Sequence, residues 1–168
     1  MKLTIYTDGA CSGNPSPGGW AYAIPLAERV YQQSGHDAHT TNNRMELQAV
    51  LEAFKKVSER VQANDKMLGE LMQIEVMSDS AYVVNGFNNN WVKTWERNGW
   101  KTKKHEPVKN AEQWKDISEL KEWFESNNVR VKFTKVKAHN GNVLNELVDS
   151  LAVAQKQETK KNQKLKKE

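Results

Sequence analysis

Lys2-Leu-Thr-Ile-Tyr-Thr-Asp-Gly-Ala-Cys-Ser-Gly-Asn14 is the stretch from which the rest of the chain can be interpreted. Apolar or β-branched residues at positions 3, 5 and 7 alternate with Thr4, Tyr6 and Asp8, which is the period-two pattern of a β-strand. We predict that this strand ends at Asp8 and that the glycines after it leave room for a substrate. A catalytic carboxylate and a plain Asp-Gly turn both fit this stretch, because Asp-Gly is also a strong hairpin signal.

Length and composition indicate one globular domain. The chain has 168 residues, of which 38% are hydrophobic and 27% are charged, enough for a single core. It contains no run of 18 apolar residues, and the first residues lack the apolar stretch of a signal peptide, so we expect no membrane association. Cys11 is the only cysteine, which excludes an internal disulfide and a cysteine-based zinc site. We expect a cytoplasmic monomer.

The net charge of +4 comes from one end of the chain. Residues 155–168 contain six lysines and two glutamates, whereas acidic and basic residues balance over residues 1–154. The high isoelectric point therefore does not by itself indicate nucleic-acid binding, and only local clusters of charge can do so.

Alternation and turn signals predict an antiparallel meander at the start of the chain. Residues 20–24 have the pattern of a second strand and residues 29–33 that of a weaker third strand. Asn43 and Glu46 then resemble a capping box. The helix that they would begin has apolar residues at helical spacing, namely Leu47, Val50, Leu51, Phe54, Val57 and Val61.

The remainder of the chain alternates helices and strands. We predict strands at residues 73–78 and 129–136, and helices at 80–87, at 91–97, from Asn110 onward, and finally up to about Ala154. Asn110 and Gln113 resemble a cap-like pair at the start of the third of these helices. The order β-β-β-α-β-α-α-α-β-α implies an α/β fold with a mixed sheet and helices packed on it. We expect one domain over residues 1–154 and a flexible lysine-rich tail over residues 155–168.

Four carboxylates occupy positions from which they could converge. Asp79 ends a strand as Asp8 does, Glu46 lies at the edge of the apolar stripe of its helix, and Asp149 shares a polar helix face with Asn145. Each also has a purely structural explanation, as a turn residue, a capping box, an N-cap or a solvated face. Residue types alone leave both explanations open.

A cluster of carboxylates without counter-charges has a chemical consequence. Unpaired acids that lie close together raise one another's pKa or bind cations. Oxygen ligands without a Cys or His set favour Mg²⁺ or Mn²⁺ over zinc. Two such ions suit phosphodiester hydrolysis, in which one activates water and the other stabilises the leaving oxygen.

Many short motifs, in order over residues 4–154, resemble the type 1 ribonuclease H (ribonuclease HI) family. The first are Tyr6-Thr-Asp-Gly-Ala10, Gly13-Asn-Pro15, Gly18-Gly-Trp20 and Thr40-Thr-Asn-Asn-Arg-Met-Glu-Leu47. The others are Ser78-Asp-Ser80, Tyr82-Val83, Trp91, Gly99-Trp-Lys101, Pro107-Val-Lys-Asn110, Lys137-Ala-His139, Asn145-Glu146 and Asp149. The resemblance implies a five-stranded mixed sheet, three antiparallel strands and then two parallel ones, flanked by helices.

The resemblance also implies an activity and a set of catalytic residues. The activity is endonucleolytic hydrolysis of the RNA strand of an RNA/DNA hybrid, leaving 3′-hydroxyl and 5′-phosphate ends. Asp8, Glu46, Asp79 and Asp149 would bind two Mg²⁺ ions, with Mn²⁺ as a substitute, and Asp8 would bridge both. His139 would relay protons or help the product to leave, for which a group that titrates near neutral pH is suited.

Substrate contacts follow from the same resemblance. Asn14 and Asn43 match positions that contact the hybrid in its minor groove, where 2′-hydroxyl groups are exposed. Thr41 matches a contact to a DNA phosphate, and Asn145 is a further candidate.

Residues 91–104 resemble a basic protrusion that holds the DNA strand. Trp91, Lys93, Trp95 and Lys101 are its candidate contacts, because lysines attract phosphates and aromatic rings stack on sugars or bases. The alternative is an amphipathic helix with tryptophans in the core and solvated lysines.

Other functions remain open from the sequence. A recombinase, transposase or junction nuclease of similar fold would share the acids but would not need the Thr40–Leu47 run. A hybrid-binding module without activity would be expected to have lost an acid, and all four are present.

Overall fold

The structure is a computed structural model that describes residues 1–139 and 141–167. The strands are β1 (Lys2–Cys11), β2 (Ser16–Pro25), β3 (Val30–Thr40), β4 (Gln73–Ser78) and β5 (Arg130–Lys135). The helices are α1 (Asn42–Gln62), α2 (Ala81–Asn88), α3 (Trp91–Arg97), α4 (Ala111–Ser126) and α5 (Val143–Lys167). A single 3₁₀ turn, Lys66–Leu68, joins α1 to β4 among the described residues. This element order confirms the predicted one.

The strands form one mixed sheet in the order β3-β2-β1-β4-β5. β1, β2 and β3 are antiparallel neighbours, whereas β4 pairs in parallel with both β1 and β5. The predicted fold, with three antiparallel strands followed by two parallel strands, is therefore confirmed. The parallel pairs need crossover connections, and the helices that make these connections cover the faces of the sheet.

Helices cover both faces of the sheet. α1 packs on β1 and β2, and α4 packs against α1, so that this side contains the larger core with Ile5, Leu47, Phe54 and Trp114 fully buried. α5 crosses β1, β2 and β3 on the other face over a smaller cluster that includes Val148 and Ala152. The ends of α1 and α5 that carry acidic residues thus approach the sheet from opposite sides.

Two predicted boundaries near the N-terminus, the end of β1 and the start of α1, were wrong. β1 does not end at Asp8 but continues to Cys11, because β2 supplies it with a partner as far as Gly18. α1 has Thr41 as its N-cap, and the Thr41 hydroxyl accepts a hydrogen bond from the backbone N–H of Arg44. Glu46 is therefore in the second turn of α1 and does not form a capping box with Asn43.

The predictions for α2 and α4 also need correction at their starts. Ser80, and not Asp79, caps α2, since its hydroxyl accepts from the N–H of Val83. The cap-like pair predicted at Asn110 and Gln113 is absent from the described hydrogen bonds of α4. Gln113 instead donates to the backbone of Arg44 on α1 and so ties the two helices together.

The C-terminal segment differs most from the prediction. α5 continues as a helix to Lys167, well past the predicted helix end at about Ala154. The flexible tail expected over residues 155–168 stays a prediction, and Glu168 lies outside the described residues. The buried face of α5 is formed by Val148, Ala152 and Thr159, whereas Leu147 and Leu151 are half-buried. In the part of the chain that is described, no helix is both long and apolar enough to cross a bilayer.

Candidate active site

Two acidic residues lie where β1 and β4 separate. The parallel pairing of these strands ends at Tyr6 and Met77, and β1 then continues against β2 alone. Asp8 and Asp79 each lie two residues beyond that last pair, so they would face one another if the register continued. The end of the parallel ladder therefore leaves a gap that both carboxylates border.

Gly9 brings Glu46 to the same gap. A Cβ atom on Gly9 would overlap the backbone nitrogen of Glu46 and would lie 2.5 Å from the carbonyl carbon of Met45. Only glycine allows α1 to approach β1 this closely, since any side chain would displace one of the two backbones. The close approach places the carboxylate of Glu46, which is 3% exposed, beside Asp8.

Gly19 has the same role for α5 on the opposite face. A Cβ atom there would overlap the carbonyl oxygen of Ala152 and would lie 2.7 Å from Cβ of Gln155. α5 therefore lies directly on β2, with Val148 and Ala152 buried. Asp149 follows Val148 on the helix and so reaches the rim of the gap.

The carboxylates of three different segments lie close together at this gap. One oxygen from each of Asp8, Glu46 and Asp79 lies within 4.8 Å of the others, a grouping that can hold a metal ion. Asp149 is the fourth member, because it lines the same pocket as Asp8 and Asp79 and contributes to the raised pKa of both. The backbone N–H of Gly9 donates to Oδ1 of Asp8 over 2.9 Å.

Burial and mutual repulsion raise the pKa of three of these acids. Burial is the largest cause for Asp8, and the charge of Asp79 is the second; together they raise its pKa to about 7. Burial, followed by the charges of Asp8 and Asp79, raises the pKa of Glu46 well above its usual range. Burial and the charge of Asp149 raise the pKa of Asp79. Full ionisation of this cluster therefore calls for compensating positive charge.

The donor set fits a hard divalent cation. Oε2 of Glu46 is fully buried and has no hydrogen-bond partner within the described chain, an arrangement that is costly for a carboxylate oxygen. A cation among these carboxylates would satisfy that oxygen and reverse the repulsion. Oxygen ligands of this kind suit Mg²⁺ or Mn²⁺.

The loop after β5 completes the pocket. His139 is exposed and, with Lys137 and Ala138, lines the same pocket as Asp8 and Asp79. Asn145, at the start of α5, lines it too. Glu146 also borders the pocket and was given no role from the sequence, although it follows Asn145 in one of the recognised motifs.

The candidate minor-groove contacts share a second, shallower depression. Asn14, Thr41 and Asn43 line it together, although they come from the β1–β2 connection and from the start of α1. Lys109 and Asn110 line the same depression and were missed as site residues. The sequence signal that could have found them is the run Pro107-Val-Lys-Asn110, which we interpreted only as a motif and a helix start.

The basic protrusion is a compact aromatic unit. The ring of Trp95 packs against those of Trp91, Trp100 and Trp114, with centroids 5.5–6.2 Å apart. Trp95 is thus joined to the core, which favours the packing interpretation for this residue. Trp91 is half-buried and is not among the described residues packed against the core, so it is the stronger candidate for a substrate contact.

The charged side chains of the protrusion remain available to a ligand. Lys93 and Lys101 are exposed. Glu96, the acid among these bases, accepts a hydrogen bond from Ser118 and is turned toward α4. These residues lie apart from the acidic pocket, whose described walls come from β1, α5 and the segments after β4 and β5.

Comparison with known proteins identifies the family of the chain. The family model for RNase H matches residues 1–157. A ribonuclease H of Acetivibrio thermocellus is 44% identical over 163 residues, covering 97% of this chain and 98% of that protein. A ribonuclease H of Syntrophomonas wolfei is 44% identical over 151 residues, covering 90% of this chain and 93% of the relative.

Solved structures agree on the fold. LC9-RNase H1, a type 1 RNase H with the type 2 active-site motif, has a TM-score of 0.72 at 27% identity, over 94% of this chain and 73% of its own. LC11-RNase H1 in complex with RNA/DNA hybrid has a TM-score of 0.66 at 23% identity, and the match covers 93% of this chain and 97% of that chain. The sheet order and the clustered carboxylates define an α/β protein with an acidic site of the cation-binding type. With the sequence matches added, the chain belongs to the ribonuclease H family.

Proposed function

We propose that this chain is an endonuclease that hydrolyses the RNA strand of RNA/DNA hybrids and leaves 3′-hydroxyl and 5′-phosphate ends. The observation that carries the proposal is the convergence of Asp8, Glu46 and Asp79 within 4.8 Å, in a chain of the ribonuclease H family. In the reaction, a water oxygen bonds to phosphorus, the bond from phosphorus to the 3′ oxygen breaks, and a proton passes to that oxygen.

The four acids would hold two Mg²⁺ ions, for which Mn²⁺ could substitute. Asp8 would contribute to both sites, Glu46 and Asp79 to one, and Asp149 to the other. When bound, such ions activate water and stabilise the charge on the leaving oxygen. The unpartnered Oε2 of Glu46 and the raised pKa of Asp8 support this assignment, since both reflect carboxylates without a counter-charge.

His139 would exchange protons near the reacting phosphate. Its exposed position at the mouth of the acidic pocket suits transfer between the site and bulk water. Asn145 lines the same pocket and would contact the RNA strand close to the scissile bond.

Selection of a hybrid requires contacts to both strands. Asn14 and Asn43 would bind 2′-hydroxyl groups and neighbouring base edges across the minor groove. Thr41, in the same depression, would contact a DNA phosphate. Trp91, Lys93 and Lys101 would hold the DNA strand farther along, and Trp95 would support Trp91 from beneath.

We further propose that the protein acts in the cytoplasm and as a monomer. A single cysteine excludes an internal disulfide and supports a reducing compartment. The four acids come from one chain, so a second copy is not needed to complete the site.

Substrate selectivity tests the function directly. End-labelled RNA/DNA hybrid is incubated with the protein and Mg²⁺, in parallel with duplex RNA, duplex DNA and an EDTA control. We expect Mg²⁺-dependent cutting of the RNA strand in the hybrid alone. Cutting of duplex DNA or of a branched junction would favour another nuclease of similar fold, and binding without cutting would favour a hybrid-binding module.

A further inference from the structure

The lysines at the end of α5 continue the helix face that carries Asp149. Lys156, Lys160 and Lys164 follow Asp149 at intervals of seven, eleven and fifteen residues. At 3.6 residues per turn, all four side chains fall within an arc of about 80°. Asn145 lies on the same side, four residues before Asp149. One flank of α5 therefore runs from the acidic pocket to the C-terminal end of the helix.

The lysine-bearing part of α5 is anchored to β3. Thr159 is buried against the sheet at 7% exposure. The amide of Gln155 donates to the hydroxyl of Ser34 over 3.0 Å, and that of Gln163 donates to the carbonyl of Ala38 over 2.9 Å. Ala38 is three residues before Thr41, so the last turns of α5 lie beside the strand end that leads to a predicted phosphate contact.

Among the described residues, the lysines of this flank have no ion-pair partner. Lys160 and Lys164 are exposed, and Lys156 is half-buried. Glu158 is nine residues after Asp149 and therefore on the opposite side of the helix. Glu146 is the acid that borders the same flank, and it lies at the pocket end, away from the lysines.

We propose that Lys156, Lys160 and Lys164 form a second contact surface for the phosphate backbone of the hybrid, beyond the nucleotides held in the active site. This inference rests on the proposed function for the identity of the substrate. Asp149 and Lys164 are separated by about 22 Å along the helix, at 1.5 Å per residue. With one phosphate per 3.4 Å of a strand, the surface reaches about six nucleotides from the scissile bond. Long hybrids would use the whole surface, and short hybrids would reach only its first lysine.

The test compares two variants that lose equal charge. The first changes Lys156, Lys160 and Lys164 to Gln, and the control changes Lys66, Lys161 and Lys166 to Gln, which removes three lysines from other surfaces. Gln and Lys have similar helix propensities, so both variants should fold, as circular dichroism and thermal melting would check. A third variant with Arg at positions 156, 160 and 164 keeps the charge and should behave as wild type.

The substrates are hybrids of about 24 and 8 base pairs. When it is cut at its centre, the shorter one extends about 14 Å from the scissile bond, far enough to reach Lys156 but not Lys160 or Lys164. On the long hybrid we expect the first variant to raise KM on the order of ten-fold in about 0.1 M salt, with kcat unchanged. The slope of log Kd against log salt, measured in EDTA, should fall by about 2 to 3. On the short hybrid the rise in KM for the first variant should be much smaller than on the long hybrid, because only Lys156 lies within its reach.

Three results would overturn the proposal. One is an unchanged KM and salt slope for the first variant on the long hybrid. Another is an equal rise in KM for the control variant on the long hybrid, which would show that the effect depends only on net charge. The third is a rise in KM for the first variant that is as large on the short hybrid as on the long one. Failure of the wild type to cut any hybrid would overturn the proposed function instead, and Kd values measured in EDTA would still test this surface.

Discussion

The backbone nitrogen of Glu46 occupies the space that a side chain on Gly9 would need. This contact between β1 and α1 explains how a carboxylate on a helix comes beside a carboxylate on a strand. It makes the geometry of the acidic pocket depend on a residue that has no functional group.

Gly9→Ala should therefore damage both folding and catalysis. A Cβ atom would be forced against Glu46 and Met45 backbone atoms, which cannot rotate away, so we expect a loss of about 2 to 4 kcal/mol in unfolding free energy. We also expect kcat to fall at least ten-fold where the fold persists, because Glu46 is displaced. Urea unfolding and hybrid cleavage would measure the two effects.

Gly69→Ala is the matched control for that substitution. A Cβ atom on Gly69 would meet only the carbonyl oxygen of Lys66, at an ordinary 3.5 Å. Its stability and activity should stay close to wild type. Equal behaviour of the two alanine variants would show that the close approach of α1 to β1 does not limit the site.

Asp8→Asn should abolish turnover and preserve the fold. Asn has nearly the same shape but removes the charge shared by the cluster, and the loss of several kcal/mol of transition-state stabilisation corresponds to a decrease in kcat of about 10³-fold. Hybrid binding measured in EDTA should be retained. Cleavage at the wild-type rate by this variant would refute the role of Asp8.

The stability of the metal-free protein should fall as pH rises from about 4 to 7. The pKa of Asp8 is raised from 3.8 to about 7, so over this interval the folded protein keeps a proton that the unfolded chain has released. The shift corresponds to about 4 kcal/mol at most, lost as pH passes through the folded pKa. Glu46 and Asp79 act in the same direction.

Thermal melting in EDTA at pH 5 and pH 8, with Asp8→Asn for comparison, would measure this dependence. The variant cannot ionise at position 8, so the difference between variant and wild type should grow in favour of the variant toward pH 8. Saturating Mg²⁺ should stabilise the wild type more at pH 8 than at pH 5. A difference that is independent of pH would contradict the raised pKa.

Glu46→Gln should weaken Mg²⁺ binding on the order of ten-fold or more, since one ligand charge is lost. Calorimetric titration with Mg²⁺ and Mn²⁺ would measure the change. In EDTA the same variant should melt higher than wild type, because Gln removes the cost of either burying this carboxylate as a charge or keeping it protonated near neutral pH. Glu59→Gln, an exposed site on the same helix, should change neither quantity.

His139→Asn should lower kcat about 10²-fold without changing Mg²⁺ affinity, as expected when proton transfer is lost. Asn is chosen because His139 has φ of 52°, a conformation that Asn tolerates better than Ala. Stability should change by less than about 0.5 kcal/mol, since the side chain is exposed. A weaker Mg²⁺ affinity would instead make His139 a part of the metal site.

Much of this architecture follows from local patterns. Alternation in residues 2–8 and 73–78 and helical spacing from Leu47 to Val61 were sufficient for the element order and the mixed sheet. These features depend on the period of each element and on residue chemistry, and both are properties of short segments. The choice of the four carboxylates as one catalytic set rested on the resemblance of the motifs to the ribonuclease H family.

Tertiary structure decided where the elements end and which faces are buried. β1 passes Asp8 because β2 offers hydrogen-bond partners up to Gly18, and α5 passes Ala154 because β3 accepts Gln155 and Gln163. No local pattern in β1 or α5 specifies those partners. The sequence alone therefore determined which acids are present and the kind of element on which each lies. Their convergence depended on the end of the parallel ladder and on two glycines that admit helices from opposite faces, because contact between distant segments is a property of the folded chain.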